Sequence, residues 1–144
     1  MINPRAINHI GIAVRSLAAQ REYYESVLGA RYEGEETVAD QHVRVAFYSI
    51  GPADRPVRLE LLEPTSPQSP IAAFLEKRGE GLHHVAYTVS GIDDTLRDLK
   101  SRGVRLIDER PRPGAHGTRI GFLHPAASMG ILTELCEPLP AHAG

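Results

Sequence analysis

Four side chains in the 144-residue chain have the types and spacing of a metal site. His9 opens the stretch "HIGIAV" and His84 opens "HVAYTV", while Glu60 lies within "LELL" and Glu134 within "TELC". A carboxylate flanked by apolar residues is costly to bury without a compensating partner. One divalent cation shared by two imidazoles and two carboxylates compensates all four groups together. That donor mixture suits first-row ions such as Co²⁺, Ni²⁺, Zn²⁺, Fe²⁺ or Mn²⁺ and leaves coordination positions open for a ligand.

The elements that must position these residues are written twice. Offset by 74 or 75 positions, His9 falls on His84, Arg44 on Arg119, Phe47 on Phe122 and Glu60 on Glu134. Alternating apolar patterns predict strands at "HIGIAV", "VRVAFYS" and "ELLEP", and again at "HVAYTV", "TRIGFLH" and "ELCEP". Residues 16–28 and 93–101 carry apolar positions at helical spacing, each run closed by a glycine, Gly29 or Gly103. A further strand is expected after each glycine, in "ARYEGEE" and "VRLIDER". The fold class expected is therefore α+β, with two tandem βαβββ modules forming one metal-centred cleft. Module one spans about 6–64 and module two about 81–138, in a single domain of residues 1–144. Between them lies a linker at about 65–80 whose Pro70 is placed to begin a short helix reaching about Lys77. A tail occupies 139–144.

Strand alternation sorts the adjacent histidines. Only one of His83 and His84 can face inward. The repeat pairs His84 with His9 and His83 with Asn8, so His9 and His84 are expected on one face and Asn8 and His83 on the other. His42, His116, His124 and His142 have no histidine counterpart and are expected on loops or surface. Glu63 and Glu137 do pair, but each precedes a proline at a strand end, where a solvated turn carboxylate is the default. Cys136 shares the strand face of Glu134 and is expected as a small buried hydrophobe.

Composition narrows the classes. Sixteen Lys and Arg against 18 Asp and Glu give a net charge of -2 with no basic run, which argues against nucleic acid or an anionic membrane as partner. A single cysteine forms no internal disulfide, and no apolar run is long enough to span a bilayer. Strand-like sequence from Ala6 leaves no room for a leader, so a soluble cytoplasmic protein is expected.

The stretches "NHIGIAV", "YYESVLGA", "LELLEPTSPQSPIAAFLEKRGEGLHHVAYTV", "GVRLIDERPRPGAHG" and "FLHP…GILTELCEP" resemble the vicinal oxygen chelate, or glyoxalase-like, superfamily and within it the methylmalonyl-CoA epimerases. The resemblance runs from about Ile7 to Pro138, and the stretch from Glu60 through His84 and the "GAHG" loop at 114–117 are its most specific parts. It implies His9, Glu60, His84 and Glu134 as metal ligands, Co²⁺ as the preferred ion, a homodimer, and methylmalonyl-CoA as substrate. A carboxylate near the metal can serve as catalytic base; the resemblance favours Glu134 in that role, and Glu60 is the second candidate. Some members carry a glutamate where this chain has Val45, which leaves the second base open. The expected reaction is metal-dependent epimerisation of (2R)- and (2S)-methylmalonyl-CoA, by removal of the proton alpha to the thioester through a metal-stabilised enolate. The alternatives are a glyoxalase I-like lactoylglutathione lyase and a non-catalytic ligand-binding protein of the same fold.

Overall fold

The computed structural model describes residues 1–140, so His142 and most of the expected tail lie outside the described residues. The chain divides into two compact units, one of His9–His83 and one in which Met1–Asn8 joins the chain from His84 onward. Each unit is an α+β layer of four strands with a helical segment packed on one face.

In the unit of His9–His83 the strands run in the order Arg31–Val38 (β2), Val43–Ile50 (β3), Val57–Pro64 (β4), Ala6–Ala13 (β1). Strand β1 (Ala6–Ala13) pairs in parallel with β4 (Val57–Pro64), and β3 (Val43–Ile50) runs antiparallel to both β4 and β2 (Arg31–Val38). Alternation divides the side chains between two faces. Ile10, Ile12, Ala46, Tyr48, Leu59 and Leu61 meet Leu17 and Tyr24 in the core. His9, Val45, Phe47 and Glu60 belong to the other face.

The helix expected over 16–28 begins as an α-helix, α1 (Leu17–Arg21), whose Ser16 hydroxyl accepts the Ala19 N–H at 3.3 Å. It then widens into a π-helical segment, Glu22–Val27. Leu28 N–H reaches the Tyr23 carbonyl at 2.7 Å, and Gly29, at φ 78°, turns the chain so that Ala30 N–H meets Tyr24. In the widened turn Tyr24 is buried and Glu25 accepts the Tyr48 hydroxyl at 3.2 Å. Burial and that carboxylate push the Tyr48 phenol up to about 12, so it remains a neutral donor across the working pH range. Helix α2 (Pro70–Arg78) closes this unit. Pro70 is at its start, where a missing N–H costs nothing, and the Ser69 hydroxyl accepts the Ile71 N–H.

The second unit repeats the plan. Strand β5 (Gly81–Thr88) pairs in parallel with β8 (Thr133–Glu137), which runs antiparallel to β7 (Arg119–Leu123). Helix α3 (Ile92–Ser101) buries Ile92, Leu96 and Leu99 against Val89, Leu123 and Leu135. The approach of α3 to the sheet is close at Gly121, where a Cβ would stand 3.0 Å from Leu96.

The strand expected in "VRLIDER" is largely missing. Leu106 makes one isolated bridge to Leu123, and regular pairing returns only as the two-residue β6 (Arg112–Pro113). The carboxylate of Asp108 takes the Phe122 N–H at 2.9 Å, the bond a ladder carbonyl would otherwise make. Pro111 and Pro113 lack the N–H that a ladder needs. Among the described residues no helix is long and apolar enough to cross a membrane.

Candidate metal centre

Each unit carries one histidine and one glutamate in contact. His9 Nδ1 stands 2.9 Å from Glu60 Oε2, with both side chains nearly buried. His84 Nε2 stands 3.3 Å from Glu134 Oε2, and both are again buried. The strands produce the two pairs in the same way. Glu60 lies beside Gly11 on β1 and opposite Phe47 on β3, while Glu134 lies beside Ala86 on β5 and opposite Phe122 on β7. Each histidine precedes its small partner by two residues, so it shares that residue's face and reaches diagonally to the carboxylate. Glycine and alanine at these positions leave the space open.

The neighbouring residues take the opposite course. Asn8 and His83 are half-buried, with Asn8 donating to the Thr88 hydroxyl at 3.2 Å and His83 meeting the Phe74 ring edge-on at 4.9 Å. Val45 is buried, so β3 supplies no carboxylate there. Cys136, the single cysteine, is buried as expected. His42 and His116 are exposed on turns at positive φ, and His124 Nδ1 accepts the Ala126 N–H at 3.0 Å.

Glu63 and Glu137 are not solvated turn carboxylates, contrary to the sequence expectation. Glu63 Oε2 accepts the Leu17 N–H at 2.7 Å at the start of α1. Glu137 accepts the N–H groups of Gly91 and Ile92 at 3.0 and 3.3 Å at the start of α3. A carboxylate at a helix N-terminus satisfies orphan donors and complements the helix dipole. Each therefore ties the strand that holds a site glutamate to the helix behind it. The repeat was the available signal, because it pairs Glu63 with Glu137 as firmly as Glu60 with Glu134.

The donors fit a divalent first-row cation. His9, His84 and Glu134 are all buried and each offers a ligand atom of a kind such an ion accepts. Two ligands about 2.1 Å from one ion and roughly at right angles stand about 3 Å apart. The 2.9 and 3.3 Å pairs have that spacing.

The chain is similar to known proteins over most of its length. The family model described as glyoxalase/bleomycin resistance protein/dioxygenase superfamily matches residues 8–122. The uncharacterized protein YqjC of Bacillus subtilis is 46% identical over 132 residues, covering 92% of this chain and 91% of the relative. The mitochondrial methylmalonyl-CoA epimerase of Bos taurus is 40% identical over 131 residues, covering 90% of this chain and 72% of the relative. A solved Streptomyces coelicolor methylmalonyl-CoA epimerase variant, in complex with 2-nitronate-propionyl-CoA, superposes with a TM-score of 0.90 at 37% identity, covering 99% of this chain and all of that one. The chain thus belongs to the glyoxalase/bleomycin resistance protein/dioxygenase superfamily and, within it, to the methylmalonyl-CoA epimerases, a family of enzymes.

Proposed function

We propose that the chain epimerises methylmalonyl-CoA, and that His9, Glu60, His84 and Glu134 together hold one divalent cation, Co²⁺ in the first instance, in a cleft formed by the two modules. The observation that carries this reading is the duplicated half-site. An equivalent histidine and an equivalent glutamate stand in contact in each unit, at ligand-like spacing and in the same strand register. The relatives named for this activity, one of them solved with an acyl-CoA analogue, supply the substrate class.

When bound, the cation would supply a Lewis acid against the negative charge that develops as the alpha proton leaves. The rest falls to the chain. Glu134, as general base, removes the proton from the carbon between the thioester and the free carboxylate, and the proton returns to the opposite face of that carbon. Glu60 is the second participant in proton transfer, because Val45 leaves β3 without a base. Apolar neighbours, Phe122 beside Glu134 and Phe47 beside Glu60, keep water from competing for the carboxylates. The homodimer implied by the resemblance and the cytoplasmic location expected from the sequence belong to the same proposal.

Deuterium exchange tests it. In D₂O the protein should incorporate deuterium at the alpha carbon of methylmalonyl-CoA when Co²⁺ is present and should stop doing so after chelation. It should leave the glutathione hemithioacetal of methylglyoxal unchanged. Metal-dependent turnover of the hemithioacetal, with no exchange into the thioester, would reverse the assignment.

A further inference from the structure

His84 is braced from one side by a chain of contacts that starts on the loop before β7. The Phe122 ring meets the His84 imidazole nearly at right angles, 81°, with centroids 5.7 Å apart. The Arg112 guanidinium lies over that same Phe122 ring, 5.4 Å from its centroid. Asp108 then fixes both members. One carboxylate oxygen accepts Arg112 Nε at 3.0 Å, and the other accepts the Phe122 backbone N–H at 2.9 Å.

The sheet register places this chain of contacts on the site face. Arg112 is opposite Ile120 across β6 and β7, so it shares a face with Ile120 and Phe122, and Phe122 is opposite Glu134. Arg119 and Leu123, on the other face of β7, look towards α3 instead, where Arg119 grips Asp93 with two bonds of 2.7 and 2.9 Å. Asp108 spends one oxygen on Arg112 and the other on the β7 backbone at Phe122, and its side chain is largely buried at 16% exposure. It works as the anchor of Arg112.

The geometry points to Arg112 as a positioning residue. Held by Asp108, it clamps the Phe122 ring, and the ring fixes the orientation of the His84 imidazole for its role as a ligand. This rests on the cation site proposed above and adds to it a supporting residue outside the donor set. A cation over one face of the ring favours one ring position, and an edge-to-face contact passes that preference to the imidazole. Supporting contacts of this kind orient a ligand before the metal arrives, so their loss appears as weaker binding by an otherwise folded protein. The loop that includes "GAHG" is thereby coupled to the half-site without touching the ion.

Calorimetric titration of the chelator-treated protein with CoCl₂, paired with thermal melts of the metal-free form, tests the assignment. Arg112 is partly exposed, at 39%, so its variants should fold. Arg112→Ala should bind Co²⁺ about three- to tenfold more weakly than native protein, with a metal-free melting temperature close to native. Arg112→Lys, which keeps a cation over the ring, should fall between them. Phe122→Leu should lose more than either. Arg119→Ala, on the opposite face of β7, should bind as native protein does. Native affinity in Arg112→Ala would overturn the inference whatever the Phe122 variant does. No Co²⁺ binding by native protein would overturn the cation site, and this inference with it.

Discussion

The half-site on β1 and β4 and the half-site on β5 and β8 share their inner geometry and differ at their outer strands. In both, the glutamate faces a phenylalanine across an antiparallel pair and a glycine or alanine across a parallel pair. In both, a second glutamate three residues later caps the helix that follows the histidine-bearing strand. The outer strands are unlike each other. β2 has eight residues and a register shift between Tyr32 and Glu35, whereas β6 has two residues and is preceded by an irregular loop. The constraint on the repeat therefore lies in the strands that aim the donors. In the second unit the edge strand gives way to the loop that packs Arg112 over Phe122.

The imidazoles differ as well. His9 presents Nδ1 to its glutamate and His84 presents Nε2. Equivalent backbone positions thus present different nitrogens to equivalent carboxylates.

If the copies have specialised in chemistry, matched substitutions should separate them most at the glutamates. Glu134→Gln keeps shape and one oxygen ligand but cannot accept the proton, so at saturating Co²⁺ its kcat should fall about 10²- to 10⁴-fold. Glu60→Gln should lose about tenfold or less, since the amide keeps one oxygen ligand and Glu134 keeps the principal base role. Equal losses measured by deuterium exchange would show the two carboxylates sharing the base role. Near-native turnover of Glu134→Gln with metal bound would make Glu134 a ligand only.

The helix caps should behave alike in the two copies. Glu63→Gln and Glu137→Gln each weaken a charge-assisted bond at a helix start, worth about 1 kcal/mol. Thermal melts should shift down by about 2–5 °C for each. A large loss in one copy alone would mean that its helix depends on the cap more than the matching contacts indicate.

The smallest difference lies at the surface. The hydrogen bond from Arg119 holds the Asp93 carboxyl below the ordinary carboxylate range. A depressed carboxylate stabilises the fold above its unfolded value, and that contribution is lost as pH falls through the folded one. Asp93→Asn should therefore melt nearly as native protein does below about pH 3 and slightly earlier near pH 7, with the difference shrinking from about pH 4 downward. A gap that widened towards acid would contradict the assignment.

Much of this was legible in the chain. The duplicated His and Glu positions showed in the sequence because they sit in strands whose alternation is strong, "HIGIAV" and "HVAYTV" above all. Pro70 and the glycines at 29 and 103 marked helix ends by local chemistry that a sequence displays directly. The features that escaped are set by distant partners. Glu63 and Glu137 looked like turn residues because a proline follows each, and only folding brings Leu17 and Gly91 to them. The stretch "VRLIDER" alternates like a strand, yet the Asp108 carboxylate diverts it by taking the Phe122 N–H. Within the π-helical segment Glu25 meets Tyr48, a partner well removed in sequence.

The proposal that the two histidine–glutamate pairs share one ion is tested most directly by the metal stoichiometry of single-histidine variants. Calorimetry with CoCl₂ should give about one ion per native chain. His9→Ala and His84→Ala should each abolish most of the binding, while His83→Ala, whose imidazole packs against Phe74, binds nearly as native protein does. Two ions per chain, or one tightly bound ion surviving in His9→Ala, would mean that each unit holds its own metal and would contradict the account.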